Sequence, residues 1–230
     1  MLHDPSHVHS VPAEEEITFA PAEREVLRRL GQEIYEISQL PVNAERAGLW
    51  AKLNDLQAER PMVWINEAPW HEMDVDGELT LKTESEFARS LETKLRHEIY
   101  QWRHFPGDMV VSPFIACEKV FHTTDFGIIE QVDTAHTDEK SKIYSRGFHP
   151  QILEEADIEK IKTPRITYME QATHFAFSAM TDLFKDIIDV RLIGQTHIWF
   201  TPWDFLIRWW GVEEAMIDLY DRPEMVIAAY

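Results

Sequence analysis

Val190-Arg-Leu-Ile-Gly-Gln-Thr-His-Ile-Trp-Phe-Thr-Pro-Trp-Asp-Phe205, followed by Gly211 and by Leu219-Tyr-Asp-Arg-Pro-Glu-Met-Val226, decides the fold. Val190 to Ile193 reads as a strand that stops at Gly194. The loop behind it carries His197, Trp203 and Asp204, side chains that stack, hydrogen-bond or exchange protons. The stretch after Gly211 reads as a helix. A strand that hands polar and aromatic side chains to a loop at its carboxyl end, and then a helix, is the repeating unit of a parallel α/β sheet.

The rest of the chain fits that unit. From Arg24 to Leu40 the residues Val26, Leu27, Leu30, Ile34 and Ile37 share one helical stripe, and a second helix is expected from Asn43 to Leu56. Pro61-Met-Val-Trp-Ile65 is a compact apolar run expected to be the first buried strand, ending in Asn66-Glu-Ala-Pro-Trp-His-Glu72. Thr83 and Glu86 have the spacing of a capping pair, and Phe87, Leu91, Leu95, Ile99 and Trp102 recur at helical spacing until Pro106-Gly107. Met109 to Val111 reads as the second strand, Glu130 to Ile161 as a polar excursion, and about Ile166 to Ile187 as a long helix feeding the strand at Val190. Alternation of this kind implies parallel strands joined by crossover helices, with chemistry sought after Ile65, after Val111 and after Gly194.

Composition narrows the function classes. Hydrophobic residues make up 44% of the 230 residues, enough for a real core. Asp and Glu number 41 against 22 Lys and Arg, a formal charge of -19, which repels phosphate backbones and anionic lipid and argues against nucleic-acid or membrane partners. Cys117 is the sole cysteine, so no internal disulfide forms, and a lone cysteine is most often a small buried hydrophobe. Met1 to Ser10 is polar and has no signal-peptide pattern; the expected location is the cytoplasm. His7 and His9 fall in a segment, residues 1–16, expected to be a flexible tail.

Four motifs carry a resemblance. Pro61-Met-Val-Trp64, Ile152-Leu-Glu-Glu-Ala-Asp-Ile-Glu-Lys-Ile-Lys-Thr-Pro164, Leu192-Ile-Gly194 and Tyr220-Asp-Arg-Pro-Glu224 follow the order and spacing of the uroporphyrinogen decarboxylase superfamily over about residues 60 to 230. The resemblance implies a TIM-type (β/α) barrel, here an incomplete N-terminal portion spanning 61–230, behind an N-terminal helical extension at 17–60. A full barrel of this type takes roughly 250 residues. Open edges of an incomplete barrel imply closure by a partner, of which a homo-oligomer is one form.

The superfamily contains tetrapyrrole decarboxylases and methyltransferases that exchange methyl groups with corrinoids. The decarboxylases follow the Pro-Val-Trp strand with a segment whose arginines hold substrate carboxylates. The loop after Trp64 holds Glu67 and His71 and no arginine, and the catalytic aspartate expected after the second strand is replaced within Ser112-Pro-Phe-Ile-Ala-Cys117. The resemblance therefore favours methyl transfer to or from a corrinoid (cobalamin), bound as substrate or on a partner corrinoid protein. Decarboxylation and a non-catalytic corrinoid- or partner-binding module are the alternatives. Glu67 and His71 are the expected catalytic pair, with Asn66 and Trp70 beside them and His197, Trp203 and Asp204 on the opposite wall. Related enzymes that activate a thiol hold zinc with later cysteines, so zinc is expected only from a C-terminal part that this sequence does not contain. Asp108 is expected to be an ordinary turn residue.

Overall fold

A computed structural model describes residues 17–65, 67–135, 144–195 and 201–230. The expected tail at 1–16, Asn66 and His197 lie outside the described residues. In chain order the elements are α1 (Pro21–Ser38), α2 (Pro41–Asn54), α3 (Trp70–Met73), α4 (Glu86–His104), β1 (Phe114–Glu118), β2 (Phe121–Thr123), β3 (Val132–Ala135), β4 (Ser145–Phe148), a 3-10 segment (Glu155–Lys160), β5 (Ile166–Tyr168), α5 (Glu170–Phe184), β6 (Asp189–Ile193), α6 (Pro202–Trp210), α7 (Val212–Asp221) and α8 (Pro223–Ala229). The class is mixed α/β, and no closed barrel is present among the described residues. No described helix is long and apolar enough to cross a membrane.

The chain divides into two compact units, one drawn from Met1–Val120 and Met169–Thr196, the other from Phe121–Tyr168 and His197–Tyr230, as far as the described residues go. In the first unit α1 starts on Pro21, which needs no N–H there and has its φ already set. Its stripe Leu27, Leu30, Ile34 and Ile37 is buried against Leu91, Leu95 and Ile99 of α4 and Met180, Leu183 and Phe184 of α5. Each such side chain withdrawn from water contributes about 1.5–3 kcal/mol. Glu23 ties the two helix starts together: its carboxylate accepts N–H bonds from Ala20 (3.0 Å), Glu84 (3.0 Å) and Ser85 (2.8 Å). Burial alone would raise its pKa, but these donors outweigh burial and hold it below the usual carboxylate value.

β1 and β6 pair in parallel, with Cys117 opposite Leu192 and Glu118 opposite Ile193, and α5 leads into β6. The strand expected at Val190 to Ile193 is there. The other two expected strands are not, for a local reason. Extended chain at Pro61–Ile65 spends its polar groups outside any ladder: Val63 N–H donates to Asp108 Oδ2 (2.8 Å) and Val63 O accepts Asp108 N–H (2.8 Å). At Met109–Val111, Val111 N–H donates to Asn43 Oδ1 (2.8 Å) and Met109 O accepts from Arg46 (3.1 Å), so side chains of α2 take the place of a neighbouring strand. The strand lies further on, at Phe114–Glu118.

Helix α4 matches its stripe, but its cap differs from the expected pair. Ser85 is the N-cap, while Thr83 Oγ1 donates to the buried carboxylate of Glu92 (2.8 Å), which also accepts from the N–H groups of Lys82 and Thr83 and from Arg96 Nε (2.7 Å). Asp108 likewise does more than turn the chain: it is buried and meets both guanidinium nitrogens of Arg60 at 3.0 and 2.5 Å.

In the second unit β2 pairs antiparallel with β5, and β3 with β4. The helix expected from Ile166 therefore begins only at Glu170, because Ile166 and Thr167 join the ladder and Tyr168 packs on Phe121, ring centroids 5.6 Å apart. Part of the loop expected before Gly211 is α6, whose Leu206, Trp209 and Trp210 enter a core with Ile128, Ile152, Ala215, Met225 and Val226. Trp210 Nε1 donates to Asp218 Oδ2 (2.8 Å), and Asp218 is held below the usual carboxylate value first by the Arg222 guanidinium.

Candidate functional site

In the first unit, one face of α4 joins the ends of two extended segments. Lys94 Nζ lies 3.0 Å from Glu118 Oε1 at the carboxyl end of β1, and Gln101 Nε2 donates to the carbonyl of Ile65. Glu98 is four residues after Lys94 and three before Gln101, so helical spacing sets its side chain between those two anchors. It has no ion pair or hydrogen bond among the described residues. Desolvation raises its pKa to about 7, while part of its surface still reaches solvent. A carboxyl group so tuned is half protonated at neutral pH and can both give and take a proton.

Cys117, in β1, is buried at 2% exposure in the core of the same unit. Burial pushes its thiol up to about 11, so it stays protonated at neutral pH. Among the described residues no cluster of three or more His, Cys, Asp or Glu converges as a metal site.

The loop after Ile65 folds onto the outer side of α4. Trp70 lies flat on His97 and meets Tyr100 and Phe105 at centroid distances of 6.2 and 6.1 Å, while Tyr100 Oη donates to Met73 O (2.9 Å). His71 Nε2 lies 3.4 Å from Glu72 Oε1, and Glu67 is exposed on the same loop. Val63, Trp64 and Ile65 are exposed beside Gln101, and Trp64 meets Trp50 edge-on at 6.3 Å. Trp203 and Asp204 belong to the second unit, in the first turn of α6; Trp203 packs on the core there, and Asp204 N–H donates to Thr201 O (3.0 Å). Glu67, Trp70 and His71 thus share a loop of the first unit, and Trp203 and Asp204 share a helix of the second.

Glu98 is the residue that reading the sequence missed. A signal was there: Leu91, Leu95, Glu98 and Trp102 follow one another at four, three and four residues, so an acid sits on an apolar stripe. No family model matches the chain, and no curated protein or solved structure matches it.

Proposed function

We propose that the parallel β1–β6 pair belongs to a uroporphyrinogen-decarboxylase-like barrel, and that the protein transfers a methyl group to or from a corrinoid in one-carbon metabolism. The observation that carries the reading is the carboxyl end of the parallel β1–β6 pair, where Glu118 meets Lys94, one helical turn before Glu98. Active sites of barrel enzymes sit at that end.

The residues fit such a group. Exposed Val63, Trp64 and Ile65 offer an apolar face for a flat macrocycle, held at Ile65 by Gln101, three residues after Glu98. When bound, the corrinoid supplies the cobalt centre that accepts or releases the methyl group. The chain supplies the proton. When the carbon–heteroatom bond of a methyl donor breaks, the heteroatom leaves with the electron pair and takes the proton held on Glu98. In the opposite direction ionised Glu98 takes the proton of the acceptor, so both directions run near pH 7.

Decarboxylation of a polyanionic tetrapyrrole is the weaker reading. The cation of this face, Lys94, is already paired with Glu118, and Glu67 adds negative charge on the adjoining loop. Purified protein should demethylate methylcobalamin in the presence of a suitable acceptor, followed by absorbance. Glu98→Gln should lower the rate about 100- to 10,000-fold and remove the inflection near pH 7. Carbon dioxide release from uroporphyrinogen would overturn the reading, and cobalamin binding without turnover by any acceptor would make the protein a binding module.

A further inference from the structure

The second unit holds a cleft of about 610 Å³ past the end of the β2–β5 pair, lined by Thr124, Asp125, Gly127, Lys162, Thr163 and Arg165. Its walls are two loops hydrogen-bonded to each other. Thr124 N–H donates to Arg165 O (3.1 Å), Arg165 N–H to Thr124 Oγ1 (2.9 Å), and Lys162 N–H to Phe126 O (2.7 Å). Gly127 has φ +83°, and a Cβ there would lie 2.8 Å from Lys160 O and 3.0 Å from Lys162 Cγ, so the close approach of the loops requires glycine. The frame fixes where the cleft's side chains start.

Charge makes the cleft unusual. The chain carries 41 acidic residues, and the neighbouring Lys160 is paired with Asp157 at 2.7 Å. Lys162 and Arg165, in contrast, make no ion pair and no side-chain hydrogen bond among the described residues, although Asp125 lines the same cleft. Two uncommitted cations in a concavity focus positive potential in a protein of formal net charge -19. The planar guanidinium matches two oxygens of an oxyanion, the ammonium adds a point charge, and the Thr163 hydroxyl can donate. Asp125 disfavours a ligand with several negative groups and favours one whose oxyanion has a hydroxyl or amine beside it.

We propose that this cleft binds a small molecule bearing a single compact oxyanion, phosphate or carboxylate, flanked by a hydrogen-bond donor. The site is independent of the methyl-transfer reading, since every residue that forms it belongs to the second unit.

The test is titration of the whole protein with inorganic phosphate, glycerol phosphate, glycine and, as a control, chloride, followed by amide NMR shifts. Saturable shifts at Thr124, Gly127, Thr163 and Arg165 are expected for at least one oxyanion and not for chloride. Glycerol phosphate and glycine separate a phosphate ligand from a carboxylate one. The double variant Lys162→Ala, Arg165→Ala changes two exposed side chains and should fold; it should weaken binding about tenfold or more. Lys185→Ala, outside the cleft, should leave binding unchanged. Absence of saturation for all the oxyanions, or equal affinity in the double variant, would overturn the proposal.

Discussion

Trp70 and His97 lie face to face, ring centroids 3.8 Å apart and planes 7° from parallel. The stack pins the loop after Ile65 to α4 at the residue before Glu98, so the same helix turn carries the loop's anchor and the carboxyl group with the raised pKa.

Trp70 acts in this arrangement through packing. Trp70→Ala should lower stability by about 1–3 kcal/mol, with a matching loss of near-ultraviolet circular dichroism. Glu67→Ala, at an exposed position, should change stability by less than about 0.5 kcal/mol while lowering methyl transfer if Glu67 touches substrate. Parallel melting and activity measurements separate the two, and equal losses of stability from both variants would contradict the assignment.

The pKa of Glu98 sets a pH-dependent stability. The carboxyl titrates at 4.5 unperturbed and about 7 in the native protein. Between these values the native state holds more protons than the unfolded chain, so stability falls as pH rises through the interval. Glu98→Gln should match the wild type below pH 4.5 and exceed it above pH 7, by about 1–2 kcal/mol once its partial exposure is allowed for. Urea melts at several pH values check this; an offset that does not vary with pH would contradict it.

Gly31 and Gly48 should respond oppositely to alanine. A Cβ at Gly31 would stand 2.6 Å from Phe184 Cε1, and Phe184 is fully buried, so Gly31→Ala should destabilise by about 1–3 kcal/mol. Nothing lies within 4 Å of a Cβ at Gly48, in the exposed interior of α2, so Gly48→Ala should stabilise by about 0.5–1 kcal/mol. Denaturant midpoints of the two variants read this directly.

Acid should loosen the extended Pro61–Ile65 segment. The Arg60 guanidinium, joined by the Val63 N–H, holds Asp108 at about 2 against an unperturbed 3.8. Here the unfolded chain binds more protons, so the stabilisation is complete above pH 3.8 and is lost as pH falls through about 2. Asp108→Asn should flatten the pH dependence of stability between pH 4 and 2 and speed amide exchange at Val63. An acid transition as steep as the wild type's would show that Asp108 is not its source.

The sequence by itself determined the elements whose periodicity is complete within one segment: the stripes of α1 and α4 and the β6 strand after α5. Each needs only local spacing and one apolar face. Long-range partners decided the rest. Pro61–Ile65 and Met109–Val111 have strand composition, but Asp108, Asn43 and Arg46 satisfy their backbone groups where a ladder was expected. Asp108 looked like a turn residue because Arg60, its partner, is 48 positions away in the chain. Glu98 drew no notice because a carboxylate on a helix is ordinary until neighbours strip its water, and desolvation is a property of the packed chain. Tertiary structure alone assigned Trp70 to a stack and Trp203 and Asp204 to a different unit, since spacing along a sequence fixes which side chains share a face and not which faces meet.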